Sequence, residues 1–149
     1  MITAKNFLLC FIPISLCFIA FSVIHFIFLK SLLMKLLSIL LTLTCIISGL
    51  ITFILNPGII YNQKNEGNNS ENKIYCFECR FQYPHLGQIL THCEECGVCY
   101  IGRDHHCDVF GKCIAKNNLF IFSIFCIGVG FLFVFNFASI GFIMSKKKN

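Results

Sequence analysis

The segment His92–Cys113 reads HCEECGVCYIGRDHHCDVFGKC and carries the strongest structural signal in the sequence. It holds five cysteines and three histidines, and a further C-x-x-C pair, Cys76 and Cys79, precedes it. The chain has 11 cysteines, and the remaining four are scattered through apolar runs at positions 10, 17, 45 and 126. The polar middle of the chain therefore concentrates seven thiols.

Two interpretations of this cluster are open: a disulfide framework in an exported loop, or a metal site. Disulfides fit poorly, because seven is an odd number and histidines alternate with the thiols. A tetrahedral Zn²⁺ site needs four nitrogen or sulfur donors, often supplied by C-x-x-C pairs with Cys or His further along the chain. The pattern therefore indicates zinc.

The number of thiols exceeds what two zinc sites would use. If each site takes three cysteines and one histidine, six of the seven clustered cysteines are ligands and one is left over. The best candidate for the leftover thiol is Cys107, which directly follows Asp104, His105 and His106. An acid and an imidazole close to a thiol are what a nucleophile needs and a structural ligand does not.

The same residues resemble those of the DHHC-type protein S-acyltransferases, also called palmitoyltransferases. The motif that carries the resemblance is Cys76-x2-Cys79, Pro84, His92-Cys93-x2-Cys96-x2-Cys99-x4-Asp104-His105-His106-Cys107-x5-Cys113, Asn118 and Phe122. Upstream, Asn56-Pro57-Gly58 resembles the Asp-Pro-Gly that the family carries after its second membrane helix. The similarity covers about residues 56–122.

The resemblance implies a ligand set for each of two structural zinc ions. Carried over by position, the ligands of the first zinc would be Cys76, Cys79, His92 and Cys99. Those of the second would be Cys93, Cys96, His106 and Cys113. Four protein ligands close a zinc site, so neither ion would keep an open position for catalysis.

The resemblance also implies a reaction. Cys107 would be the nucleophile, His105 its base and Asp104 the group that orients that base. A long-chain acyl group would pass from acyl-CoA to Cys107 and then to membrane-proximal cysteines of protein substrates. The chain departs from the family in having Asp108-Val109 where Pro-Trp is usual. An alternative function is therefore a catalytically silent zinc module that binds protein partners at a membrane.

The sequence outside the cluster is that of a membrane protein. Hydrophobic residues make up 56% of the chain and charged residues 13%, and every acidic residue lies between Glu66 and Asp108. Three apolar runs, at about 7–29, 36–55 and 119–144, reach the roughly 20 residues that a transmembrane helix needs. The first run is longer than the apolar part of a signal peptide and lacks a small-x-small cleavage site, so we expect it to be retained.

These observations predict an α-helical integral membrane protein with three transmembrane helices and a small zinc-stabilised module between the second and third. We divide the chain into a membrane hairpin (1–58), a flexible linker (59–73), the cysteine-rich module (74–118), and a third helix with a short basic tail (119–149). The module should form short β-hairpins whose folding depends on metal. Because family members have a fourth helix, we expect the chain to be a truncated member.

Charge and chemistry bear on location and partners. The net charge is +5, but the basic residues are too dispersed for a nucleic-acid-binding face. Most of the lysines beside helix ends lie on the side of the membrane opposite the module. The positive-inside rule therefore mildly disfavours a cytosolic module. Reduced thiols and acyl-CoA both belong to the cytosol, so we predict that the module faces the cytosol from an endomembrane (ER or Golgi) or the plasma membrane. The Asn68-Asn69-Ser70 sequon should then carry no glycan.

Overall fold

Three long helices and six short strands make up the part of the chain that the structure describes. The computed structural model describes residues 5–28, 31–60, 73–84 and 89–148. The helices are α1 (Lys5–Phe28), α2 (Leu32–Ile54) and α3 (Leu119–Lys148). The strands lie between α2 and α3: β1 (Lys73–Cys76), β2 (Phe81–Pro84), β3 (Leu90–Cys93), β4 (Val98–Ile101), β5 (Arg103–Cys107) and β6 (Lys112–Ala115). Consecutive strands pair into three antiparallel hairpins, so the module has the short β-hairpins expected from its C-x-x-C turns.

Each helix is long and apolar enough to cross a membrane. The qualifying segments are Phe11–Phe28, Leu32–Ile54 and Leu119–Gly141, each with a mean hydropathy of 2.4. A helix of about 20 such residues spans the hydrocarbon core of a bilayer. The predicted fold class, three membrane helices with a cysteine-rich module between the second and third, is confirmed.

α2 and α3 pack closely because small residues line their contact. The buried face of α2 carries Ser38, Thr42, Cys45, Ser48, Gly49 and Thr52. A Cβ added at Gly128 of α3 would lie 2.9 Å from Cys45 Sγ, and one added at Gly49 of α2 would lie 3.2 Å from Cε2 of Phe125 in α3. Small residues let membrane helices approach this closely, and dispersion contacts then hold them together.

Polar side chains join α1 to α2. Ser22 and Thr42 share a hydrogen bond, and His25 Nδ1 lies 3.3 Å from Ser38 Oγ. His25 is buried, with its ring edge-on to Phe135 of α3 at 5.3 Å between ring centroids. Hydrogen bonds between side chains stabilise helix association where no water is available to compete.

The segment after α2 attaches the module to the membrane hairpin. α2 ends at Ile54, just before Asn56-Pro57-Gly58, and Asn56 Oδ1 accepts hydrogen bonds from the backbone N–H groups of Gly58 (2.9 Å) and Ile59 (3.0 Å). Ile59 then pairs with Tyr100 of β4, and Ile60 N donates to Cys99 O. Most of the predicted linker, including Asn68, lies outside the described residues, and the division of the chain into segments stays a prediction.

Candidate metal centres and nucleophile

The three hairpins of the module supply ligands by one repeated arrangement. Each C-x-x-C pair spans the end of a strand and the turn that follows it. A histidine and a cysteine on the next hairpin face each other across the two strands: His92 opposite Cys99 in β3–β4, and His106 opposite Cys113 in β5–β6. Each group of four potential ligands therefore joins the turn of one hairpin to the strands of the next.

The first of these groups consists of Cys76, Cys79, His92 and Cys99. Its ligand atoms all lie within 4.8 Å of one another. His92 Nδ1 is 3.8 Å from Cys76 Sγ, 3.2 Å from Cys79 Sγ and 3.7 Å from Cys99 Sγ. The Cys79 and Cys99 sulfurs are 3.5 Å apart. We call this group the outer cluster, because its ligands come from the two hairpins that precede β5–β6.

The second group consists of Cys93, Cys96, His106 and Cys113. His106 Nδ1 is 3.7 Å from Cys93 Sγ, 3.3 Å from Cys96 Sγ and 3.9 Å from Cys113 Sγ. The Cys96 and Cys113 sulfurs are 3.7 Å apart. We call it the inner cluster, because two of its ligands lie on β5–β6 beside Cys107.

Both clusters fit a tetrahedral zinc ion. With Zn–S near 2.3 Å and Zn–N near 2.0–2.1 Å, tetrahedral angles separate two sulfurs by about 3.8 Å and a sulfur from a nitrogen by about 3.6 Å. The separations between ligand atoms in both groups scatter around these values. Three thiols and one imidazole per group are also the donors that zinc prefers. Each cluster could therefore hold one zinc ion.

Burial favours the protonated form of the thiols, whereas zinc binds the thiolate. Burial raises the pKa of Cys99 to about 12 and also raises the pKa of Cys113. At Cys76 burial acts in the same direction, but the backbone N–H of Cys79, 3.4 Å from the sulfur, helps to outweigh it and lowers the pKa. A thiol must lose its proton to bind zinc, so folding of these buried cysteines and binding of the ion are coupled.

Cys107 belongs to neither cluster. It ends β5, where side chains alternate between the two faces of the strand. His106 therefore lies on the face of the metal cluster, and His105 and Cys107 share the other face. Of the seven cysteines in the polar segment, Cys107 is the one outside both four-ligand groups.

His105 is paired with Asp104. Its Nδ1 lies 3.1 Å from Asp104 Oδ2, and the pair is partly exposed to solvent. Two neighbours on one strand normally point to opposite faces, but here the register shifts between Arg103 and His105. Such a bulge re-aims a side chain locally, which accounts for the contact between Asp104 and His105. Among the described residues, no hydrogen bond joins His105 to Cys107.

An aromatic cluster lies beneath Cys107. Its buried members are Phe11 of α1, Phe110 of the β5–β6 turn and Phe125 of α3, and Cys107 packs against it. Phe122 of α3 contacts both His105 (5.5 Å between ring centroids) and Phe110 (5.8 Å). The thiol therefore lies where the module meets the apolar ends of the membrane helices.

Two contacts that position this hairpin were not expected from the sequence. Asn118 is fully buried: its Oδ1 accepts from Ala115 N (2.8 Å) and its Nδ2 donates to Cys113 O (3.3 Å), which ties β6 to the start of α3. Lys112 donates to backbone carbonyls at the end of α2. Asn118 was part of the motif without an assigned role, and nothing in the local sequence of Lys112 points to its distant partners.

Comparisons with known proteins find several palmitoyltransferases among the relatives of this chain. The profile of the DHHC palmitoyltransferase family matches residues 69–149, more than half of the chain. Human Palmitoyltransferase ZDHHC14 is 39% identical over 64 residues, which are 43% of this chain and 12% of that protein. Rat Probable palmitoyltransferase ZDHHC24 is 41% identical over 44 residues, 30% of this chain and 14% of the relative. Mouse Palmitoyltransferase ZDHHC18 is 36% identical over 66 residues, which are 44% of this chain and 17% of that protein.

The matched segments thus span between about an eighth and a sixth of these curated relatives.

Proposed function

This chain belongs to the DHHC palmitoyltransferase family, and from that premise we propose that it is a protein-cysteine S-acyltransferase. It takes a long-chain acyl group from acyl-CoA onto Cys107 and passes it to cysteines of protein substrates near the membrane. The observation that carries the proposal is that Cys107 lies outside both ligand groups, on the same strand face as His105.

Proton transfer is the task of His105 and Asp104. A thiolate is the nucleophilic form of cysteine, and an adjacent base makes it available near neutral pH. Donation from His105 Nδ1 to Asp104 Oδ2, across 3.1 Å, leaves Nε2 free to accept a proton from Cys107. The carboxylate also stabilises the imidazolium that forms, so Asp104 orients and supports the base.

In the first step, Cys107 Sγ attacks the thioester carbonyl of acyl-CoA. A new carbon–sulfur bond forms, the bond to the CoA sulfur breaks, and the leaving thiolate takes the proton held by His105. In the second step, the thiol of a substrate cysteine gives its proton to His105 and attacks the acyl-Cys107 carbonyl. The sulfur of Cys107 leaves as a thiolate and takes that proton from His105, which restores the starting state.

The surroundings of Cys107 suit a lipid donor. The thiol packs against the aromatic cluster at the ends of three membrane helices, so an acyl chain can lie in the apolar phase while its thioester reaches the hairpin. Zinc, when bound in the two closed clusters, would supply structure by fixing the hairpins. The cytosolic orientation that acyl-CoA requires, in an endomembrane or the plasma membrane, is part of the proposal.

Acyl labelling tests the proposal. The purified, zinc-loaded chain is incubated with palmitoyl-CoA, and Cys107 should acquire a thioester that hydroxylamine removes. Cys107→Ala should lose the label and keep its zinc. If a folded, zinc-loaded chain takes no label at Cys107, the enzyme proposal fails and the silent zinc module that binds partners at a membrane becomes the better account.

A further inference from the structure

The C-terminal end of α2 has carbonyl groups without helical partners, as every helix end does. No basic residue lies in the last turn of α2 to bind them. Lys112 of β6 supplies the missing donors from the module: its Nζ donates to Phe53 O at 2.8 Å and to Leu55 O at 2.6 Å. A cation at this position also interacts favourably with the helix dipole.

Lys112 lies directly opposite Cys107 in the β5–β6 ladder, so the two side chains share one face of the hairpin. That face is turned toward the membrane helices: Cys107 packs on the aromatic cluster, and the Lys112 ammonium lies 5.8 Å from the centroid of the Phe53 ring. Phe53 packs against the same cluster. The lysine and the nucleophile are therefore held against the same part of the bundle.

The backbone hydrogen bonds between the segment after α2 and the module lie elsewhere. Gly58 and Ile60 bond to β4, and Asn117 N approaches Pro57 O at 3.4 Å. These contacts hold the middle hairpin and the start of α3. The ammonium group of Lys112, in contrast, reaches the helix end from within β5–β6 itself.

We propose that Lys112 is a positioning residue for acyl transfer: by binding the end of α2, it holds the β5–β6 hairpin, and with it Cys107, at a set place on the membrane helices. This inference rests on the proposed function, because only a donor whose acyl chain lies in the membrane requires that placement. A small water-soluble reagent can reach Cys107 wherever the hairpin lies.

The first experiment compares two reactions of Cys107 in zinc-loaded protein: acylation by palmitoyl-CoA and alkylation by iodoacetamide, both read at the Cys107 peptide by mass spectrometry. Lys112→Met should slow acylation at saturating palmitoyl-CoA by about tenfold or more, because hydrogen bonds from a charged donor are among the stronger ones in proteins. Alkylation should stay within about twofold. Lys112→Arg, which keeps charge and donors, should restore most of the acylation rate.

Lys116→Met is the matched control, since Lys116 is exposed on the same part of the module and should leave both reactions unchanged. If Lys112→Met loses zinc, Lys112→Gln, which keeps an amide donor without the charge, is measured in the same way. Equal slowing of acylation and alkylation would overturn the proposal, because it means general loss of structure rather than lost placement. No rescue by arginine would also overturn it, because the cationic donor would then not be the feature that matters.

The second experiment does not depend on enzyme activity. A photoreactive benzoylphenylalanine replaces Phe53, and crosslinks to the β5–β6 hairpin are mapped by mass spectrometry. They should form with lysine or arginine at position 112 and fall several-fold with methionine. Unchanged crosslinking in Lys112→Met would overturn the positioning role. If the chain with lysine at position 112 crosslinks as expected but the unsubstituted chain takes no acyl label, the result would instead contradict the proposed function.

Discussion

The outer and inner clusters have the same donors and the same construction but different neighbours. Each joins a C-x-x-C turn to a histidine and a cysteine facing each other on the next hairpin. The ligands of the outer cluster lie on the first two hairpins and the turn between the strands of the first. The inner cluster takes His106 and Cys113 from β5–β6, where they directly adjoin Cys107 and Lys112.

This difference predicts different structural roles for the two clusters, although their donors are the same. The outer cluster organises the part of the module that lies before β5. The inner cluster includes two residues of the hairpin that carries Cys107, with Asn118 linking Cys113 to α3 and Lys112 linking the same hairpin to α2. Loss of the inner ion should therefore lower the acylation rate of Cys107 directly. Loss of the outer ion should lower it only through the β3–β4 hairpin, which both clusters share.

Ligand removal should give the largest effect. We expect Cys96→Ala to lose the inner zinc and all acyl labelling, because structural zinc contributes roughly 10–16 kcal/mol in small modules and β5–β6 would no longer be held. Cys79→Ala should lose the outer zinc and keep part of the labelling. Zinc per chain is measured by elemental analysis beside the labelling rate. Identical loss of label in the two variants would remove the distinction between the clusters.

Replacement of the two adjacent histidines should separate metal binding from catalysis. His105→Ala should slow labelling of Cys107 by about 10²–10⁴-fold, the usual value of general-base help, with both zinc ions retained. His106→Ala should instead release the inner zinc. The measurement is the labelling rate together with the zinc content of each variant. Zinc loss from His105→Ala would mean that the assignment of the two histidines is reversed.

A smaller effect is expected at Asp108, whose fully exposed carboxylate lies 3.8 Å from His106 Nε2. Asp108→Asn should speed labelling by about two- to fivefold, the scale of one exposed charge, since the carboxylate repels both a thiolate and the phosphates of CoA. Asp108→Pro should speed labelling at least as much. Residue 108 is the second position of a turn in which Phe110 N donates to Cys107 O, and proline is favoured at that position. Slower labelling of the zinc-loaded Asn variant would instead assign Asp108 a supporting role at His106.

The smallest effect is expected at the Asn68 sequon, where replacement should change nothing if both clusters face the cytosol. Asn68 then carries no glycan in cells despite its sequon, and Asn68→Gln leaves the mobility of the protein unchanged. An endoglycosidase-sensitive mass shift that disappears in Asn68→Gln would put both clusters in the lumen, away from acyl-CoA. In that case the thiols would also meet an oxidising compartment, where disulfides compete with zinc.

Much of the site could be predicted because residue type and spacing indicate which side chains can bind a metal together. The two groups of four implied by the motif are the same groups that the structure brings within 4.8 Å. The pairing of Asp104 with His105 was also expected, although the bulge that permits it has no recognisable signal in the sequence. The assignment of these residues as ligands and catalysts stays a prediction until zinc content and labelling are measured.

The sequence alone predicted the three apolar spans, the position of the cysteine-rich module between the second and third, and Cys107 as the candidate for the thiol that two zinc sites would leave over. These follow from composition and short-range spacing, which act within a few residues. The three-dimensional structure was needed to show that His25 lies buried against Ser38 and that Lys112 binds the end of α2. It was also needed to show that Cys107 packs on an aromatic cluster from α1, the module and α3. Such contacts join residues far apart in the chain, 59 positions in the case of Lys112 and Phe53. They depend on how the hairpins dock on the helices, which no local pattern indicates.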